Sequence, residues 1–280
     1  MPIPKFFQNL NRLFTTKGMF IAYCQWLFAS TLKNNAPRLQ ITNQIYIGEW
    51  ISFSEYWSFR NGVSPSEKEF INKHLGTETK SKKIAIDIGA NIGLFTAYLT
   101  TFDSTIVHSF EPVPQTFSRL EINIINNNLK NKVILNSLAV GEKKGVVKFA
   151  IRDESPATNK ISVNENINDI KVNVTTLDDY CQENKIDYID FLKIDVEGME
   201  DAVVWGGYEM LVNKKIKEIL IEICPTNLNN VGSSIKDLYK SIIDVGYYPY
   251  KLSSSYIPEY RLTLDDLEKM VLENIVLLPM

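Results

Sequence analysis

The sequence predicts an α/β fold of the doubly wound kind, a buried and mostly parallel sheet with helices on both faces. Three observations carry that expectation. From about residue 64 onward, short apolar runs alternate with segments of helical periodicity, the pattern of strands joined by crossovers. The first apolar run ends in a glycine-rich turn, Asp87-Ile88-Gly89-Ala90-Asn91-Ile92-Gly93, with a helix directly after it. The second run ends in Glu111, an acidic residue at the strand end where ligands of open α/β sheets bind.

The composition permits this fold and narrows the function. A chain of 280 residues holds one full α/β domain plus an appendage, and 45% hydrophobic with 22% charged residues supplies a sizeable core. A formal net charge of -3 argues against nucleic acid as the partner, because phosphate binding needs a basic face. Cys24, Cys181 and Cys224 form no CxxC pair, and His74 and His108 are the only histidines. Neither a zinc cluster nor a disulfide framework is expected, and a reducing cytoplasm is the expected compartment.

Taken in order, residues 1–63 read as an N-terminal extension and residues 64–280 as the α/β domain. The apolar stretch 19–32 is interrupted by Gln25 and is shorter than the ~20 residues that span a bilayer. It reads as a buried helix of an N-terminal cap, with a peripheral membrane or partner-docking helix as the alternative. A hairpin is expected from strands at 40–47 and 50–57. Ser64, Pro65 and Glu67 have the types and spacing of a capping box with proline in the first turn, so a helix starts there. Strands follow at 84–88 and 105–110, with helices at 92–101 and 114–128, the latter carrying Phe117, Leu120, Ile124 and Ile125 on one face. A third strand is expected over 133–140. Two more, 145–151 and 170–175, flank a polar loop (153–166) that reads as an insertion, either a surface hairpin or a lid that recognises the acceptor. Thr176 caps a short helix, residues 189–195 form the fourth strand of the main sheet, and a helix begins near Met199. Strands at 218–224, 247–252 and 274–278, with a helix capped by Ser233 or Ser234, complete seven main strands.

Two constellations carry chemistry. At the first, glycines let the backbone approach a ligand, and Glu111, 22 residues after Gly89, can accept both hydroxyl donors of a ribose. Asp87 beside the turn would repel a pyrophosphate, but it suits the ammonium and sulfonium charges of S-adenosylmethionine. The methyl donor therefore stands ahead of a nicotinamide cofactor, which fits only if Asp87 is paired away. The second constellation, Phe191 to Glu200, gathers Lys193, Asp195, Glu197 and Glu200 at the end of the fourth strand. A lysine in a buried strand needs a partner.

The stretches DIGANIG, SFEPVPQTF with Asn123 and Asn126 downstream, TLDDY, FLKIDVEGME and the final NIVLLP occur in this order. Together they resemble the FkbM family of methyltransferases, across roughly residues 67–279. The resemblance implies a class I methyltransferase (Rossmann-like) fold whose seven-stranded sheet has the order 3-2-1-4-5-7-6 with the seventh strand antiparallel. It also implies methyl transfer from S-adenosylmethionine, usually to a hydroxyl of a natural product or glycan. On this chain it assigns Asp87, Gly89, Ala90, Asn91 and Gly93 to the methionine and ribose of the donor, and Glu111 with Pro112 to the ribose hydroxyls. Ser137 and Leu138 would lie near adenine, and Asp195 would face the methionine end and the acceptor.

Methyl transfer is an in-line displacement in which the protein chiefly aligns the reactants, while a base can take the acceptor's proton. Asp195 and Glu197 are the base candidates, Lys193 steers their charge, and Glu222 is a weaker candidate. Alternatively, two of these carboxylates hold Mg²⁺, which would bind the acceptor oxygen. The acceptor expected is a small molecule, glycan or lipid-linked compound with a free hydroxyl. The competing reading is a non-catalytic scaffold that keeps the nucleotide fold.

Overall fold

The computed structural model describes residues 39–40, 46–47, 62–76, 81–150, 160–161, 169–252 and 260–280. The stretch at 19–32, the strand expected at 50–57 and most of the polar loop lie outside the described residues. No helix among the described residues is long and apolar enough to cross a membrane.

The N-terminal hairpin differs from the expectation. β1 (Leu39–Gln40) pairs antiparallel with β2 (Tyr46–Ile47), so the chain reverses inside the expected first strand.

The helix α1 (Pro65–Leu75) starts as expected. The Ser64 hydroxyl accepts from the Glu67 N–H, and the Glu67 carboxylate accepts from the Ser64 N–H at 2.6 Å. Next come β3 (Lys83–Ile88), α2 (Leu94–Leu99), β4 (Thr105–Phe110), α3 (Pro114–Asn126) and β5 (Val133–Asn136).

The strand expected over 133–140 is two strands. β5 ends at Asn136, whose amide donates back to the Ser109 carbonyl at 3.2 Å, and the chain then turns away. β6 (Ala139–Val140) belongs to a second, four-stranded sheet with β7 (Gly145–Ala150), β8 (Lys160–Ile161) and β9 (Asp169–Thr175). The backbone groups of β6 are satisfied there, by parallel pairing with β9, and β7 pairs antiparallel with β9 as the insertion reading required.

Thr176 caps α4 (Leu177–Glu183), and β10 (Phe191–Ile194) returns the chain to the main sheet. α5 (Glu200–Gly206), α6 (Tyr208–Val212), β11 (Ile219–Ile223), α7 (Pro225–Asn230) and α8 (Ile235–Asp244) follow, α8 capped by Ser234. The chain then forms β12 (Tyr247–Lys251), α9 (Leu264–Glu268) and β13 (Glu273–Pro279).

Across the main sheet the strands read β5-β4-β3-β10-β11-β13-β12. Numbered within that sheet, the order is 3-2-1-4-5-7-6, and β13 is antiparallel to both its neighbours. Both faces are buried. Ala85, Phe191 and Leu220 pack with Phe70, Ile71 and Leu99 on one side, while Ile86, Ile194 and Ile221 pack with Val203, Leu238 and Ile242 on the other. Burial of this kind contributes roughly 1.5–3 kcal/mol per large apolar side chain. It also explains why these strands read as apolar runs and not as alternations.

The two histidines stay away from the sheet's C-terminal rim, as the sequence implied. His74 lies 2.7 Å from Glu218, just before β11 begins, and buried His108 bonds the Tyr180 hydroxyl at 2.8 Å. Burial, aided by the charge of Lys82, holds the His108 pKa down at about 4.

Candidate functional site

The C-terminal ends of β4, β3, β10 and β11 form one rim, and the sequence-marked residues collect on it. Asp87, near the end of β3, is fully buried. One of its oxygens accepts from the Thr96 hydroxyl at 2.6 Å, and that hydroxyl also lies 2.8 Å from Ser109 Oγ. The other oxygen has no hydrogen bond and lies 3.8 Å from Lys193 Nζ.

The turn after β3 is built for close approach. Gly89 has φ +81, and a Cβ there would sit 1.8 Å from the Asp195 carbonyl oxygen. Asn91 and Gly93 also adopt positive φ, 51 and 97. The N–H groups of Gly89 and of buried Ala90 both donate to the Phe110 carbonyl, at 3.0 and 2.9 Å. The Asn91 side-chain oxygen is buried without a hydrogen-bond partner.

Glu111, just past β4, is buried and braced. One oxygen accepts from the Asn91 N–H at 3.1 Å and the other from the Val113 N–H at 2.9 Å. Burial pushes its pKa up to about 7 although both N–H groups pull it down. Pro112 is half-buried beside it. Beyond β5, Ser137 is exposed and Leu138 half-buried.

One strand further along, Lys193 is buried in β10. Its ammonium lies 2.9 Å from Asp195 Oδ2 and 4.8 Å from the centre of the Phe95 ring. Burial alone would favour the neutral amine, but the charges of Asp195 and Asp87 outweigh it and hold the lysine protonated. The same burial pushes Asp87 up, partly offset by Lys193 and Thr96.

The loop after β10 turns sharply. Glu197 has φ +56, an uncommon conformation for a residue with a side chain, and Gly198 has φ +111. A Cβ on Gly198 would meet the Asn227 carbonyl oxygen at 2.5 Å. The Asn227 side-chain amide donates to Glu197 Oε2 at 2.6 Å, fixing that carboxylate. Glu200 accepts from the Gly198 N–H at 3.0 Å, while its second oxygen is buried without a partner; burial pushes its pKa up to about 7. Glu222 of β11 completes the group: Asp195, Glu197 and Glu222 each offer an oxygen within 4.8 Å of the others.

Of the residues marked from sequence, all but Ser137 and Leu138 join this continuous rim. Sequence reasoning missed Thr96, Ser109 and Asn227. Thr96 carried a signal, since the first turn of the helix after the glycine turn faces the strand end. Asn227 carried none, because its partner is 30 residues away in sequence.

The carboxylate trio has the chemistry of a hard-cation site, and the protein's own groups already engage two of its members. Lys193 already supplies the positive charge at Asp195, and Asn227 occupies Glu197. A cation there would compete with both contacts.

Comparison with known proteins identifies the family. Residues 87–249, more than half of the chain, match the family model described as "Methyltransferase FkbM domain". A similar protein is the 31-O-demethyl-FK506 methyltransferase FkbM of Streptomyces tacrolimicus, 26% identical over 201 residues, covering 58% of this chain and 76% of the relative. Among solved structures, the METTL16 MTase domain is 11% identical with a TM-score of 0.43, over 75% of this chain and 64% of that domain. The precorrin-6y C5,15-methyltransferase of Geobacter metallireducens is also 11% identical, with a TM-score of 0.39, over 76% and 86%. The chain belongs to the FkbM family of S-adenosylmethionine-dependent methyltransferases.

Proposed function

We propose that this protein transfers the methyl group to a hydroxyl oxygen of a small-molecule, glycan or lipid-linked acceptor. The observation that carries the reading is the acidity of the rim: Asp87, Glu111, Asp195, Glu197, Glu200 and Glu222 lie along it, and Lys193, held by Asp87 and Asp195, is the buried cation among them. Such a pocket attracts a cationic donor and repels phosphates. The name of the Streptomyces relative, which specifies a 31-O-demethyl substrate, supports oxygen as the acceptor atom.

Bound S-adenosylmethionine supplies a methyl group already activated by its positively charged sulfur. The protein's own part is alignment. Gly89, Ala90, Asn91 and Gly93 present backbone to the donor, with the unpartnered oxygens of Asp87 and Asn91 as acceptors for it. Glu111, held by two N–H groups, is oriented for the ribose hydroxyls, with Pro112 beside it. Ser137 and Leu138 lie where the sheet edge would meet adenine. Asp195 faces the donor's charged end with Lys193 fixing its carboxylate, and Glu197 borders the acceptor side.

Calorimetry with S-adenosylhomocysteine tests the donor site. Wild type should bind it, and Glu111→Ala should weaken binding about tenfold to a hundredfold, the worth of hydrogen bonds to a charged group. Binding of NAD in its place would refute the reading. Transfer of labelled methyl to hydroxylated glycans and polyketides, beside amine-bearing counterparts, tests the oxygen. Label on the amines alone would overturn that part, and donor binding without transfer to any acceptor would favour the scaffold reading.

A further inference from the structure

We propose that Glu222 is the side chain that takes the proton from the acceptor hydroxyl, an assignment that rests on the donor reading above. The argument begins with the order of groups along the rim. Glu111, Asp87, Asp195 and Glu222 stand at the ends of β4, β3, β10 and β11, which are successive neighbours in the sheet. Strands lie about 4.8 Å apart, and the register Ile194↔Ile221 makes Asp195 and Glu222 direct neighbours, while Asp87 lies two residues deeper, opposite Lys193. A donor with its ribose at Glu111 and its charged end over β3 and β10 leaves the next position, over β11, for the acceptor.

Hydrogen bonding then separates the carboxylates. Asp87 accepts from Thr96, Glu111 from Asn91 and Val113, Asp195 from Lys193, Glu197 from Asn227, and Glu200 from Gly198. Among the described residues no donor is recorded for the Glu222 side chain. A carboxylate already holding an ammonium or an N–H is a weaker base, so the free one is the better proton acceptor.

The surroundings agree. Glu222 is faced by Asp195 and Lys193 from the end of β10, by Glu197 from the loop beyond it, by Glu200 from α5, and by Asn274 opposite it on β13. Burial first, then the charges of Asp195 and Glu197, raise its proton affinity well above that of an ordinary carboxylate, with Lys193 opposing in part. In the reaction, the acceptor oxygen attacks the methyl carbon. A C–O bond forms as the C–S bond breaks, its electron pair stays on sulfur, and the O–H proton passes to a Glu222 oxygen and later to solvent.

Sinefungin tests this without knowledge of the acceptor, because a carbon bearing a primary ammonium replaces the sulfur and methyl group of the donor. Calorimetry on the full chain should show sinefungin bound about tenfold tighter than S-adenosylhomocysteine, as expected for a new charge-assisted contact. Glu222→Gln should lower that ratio about threefold or more, Asp195 keeping the rest, and leave the S-adenosylhomocysteine affinity within about twofold. Glu222→Asp, which keeps the charge, should retain part of the preference. In wild type the preference should fade as pH falls and Glu222 takes up a proton. A ratio unchanged in Glu222→Gln, or no preference in a wild type that binds S-adenosylhomocysteine, overturns the proposal. Failure of S-adenosylhomocysteine itself to bind overturns the donor reading, and this one with it.

Discussion

Glu200→Gln should stabilise the ligand-free protein, and by an amount that depends on pH. The wild-type carboxylate is buried, one of its oxygens has no partner, and its pKa is raised from 4.5 to about 7. An acid whose folded pKa is raised prefers to fold protonated. As pH climbs from below 4.5 the unfolded chain releases this proton first, so wild-type stability declines until about pH 7 and is level above that. A shift of this size corresponds to about 3 kcal/mol at pH 8 and about 1 kcal/mol at pH 5. Glutamine keeps the acceptor for the Gly198 N–H and carries no charge, so the variant lacks this pH-dependent penalty. Urea denaturation of both proteins at the two pH values measures the difference. The reasoning is refuted if the advantage of the variant is the same at both, or if the variant is the less stable at pH 8.

Two further outcomes follow from the rim. Gly89→Ala places a Cβ 1.8 Å from the Asp195 carbonyl at a φ of +81, so thermal unfolding should show a loss of at least about 2 kcal/mol; a Tm equal to wild type would mean that the β3 turn can move away from β10. Lys193→Met leaves Asp87 and Asp195 without their shared counter-charge and should cost roughly 3–5 kcal/mol by chemical denaturation near neutral pH. That loss should shrink as Asp87, whose proton affinity burial raises, is protonated at low pH, and a deficit independent of pH would point to packing against Phe95 as the cause.

The sequence was most informative where one cause dominated. The buried strands β3, β4, β10 and β11 read correctly because sheets covered on both faces demand unbroken apolar runs. The caps at Ser64 and Thr176, and Ser234 as one of the two serines offered for α8, read correctly because the partner N–H lies three residues away. Where the answer depended on distant pairing, the reading failed. In the run VILNSLAV only Asn136-Ser137 hints at the bend, and the apolar residues around that pair outweigh it, because the competing partner of Ala139 is Val174 on another sheet. The site shows the same division. Asp87, Glu111 and Asp195 are legible as acids at strand ends, but that Lys193 engages Asp195 and Asn227 engages Glu197 is not, because both contacts depend on the fold.

The placement of β13 has a consequence for synthesis. This strand separates β11 from β12, and both emerge from the ribosome before it. Until residues 273–279 are available, β12 has no neighbour in the sheet and Asn274 cannot reach the Glu67 carboxylate at the start of α1. A nascent chain can assemble β3, β4, β10 and β11 early, but the flank beside β11 closes only after residues 273–279 have been translated.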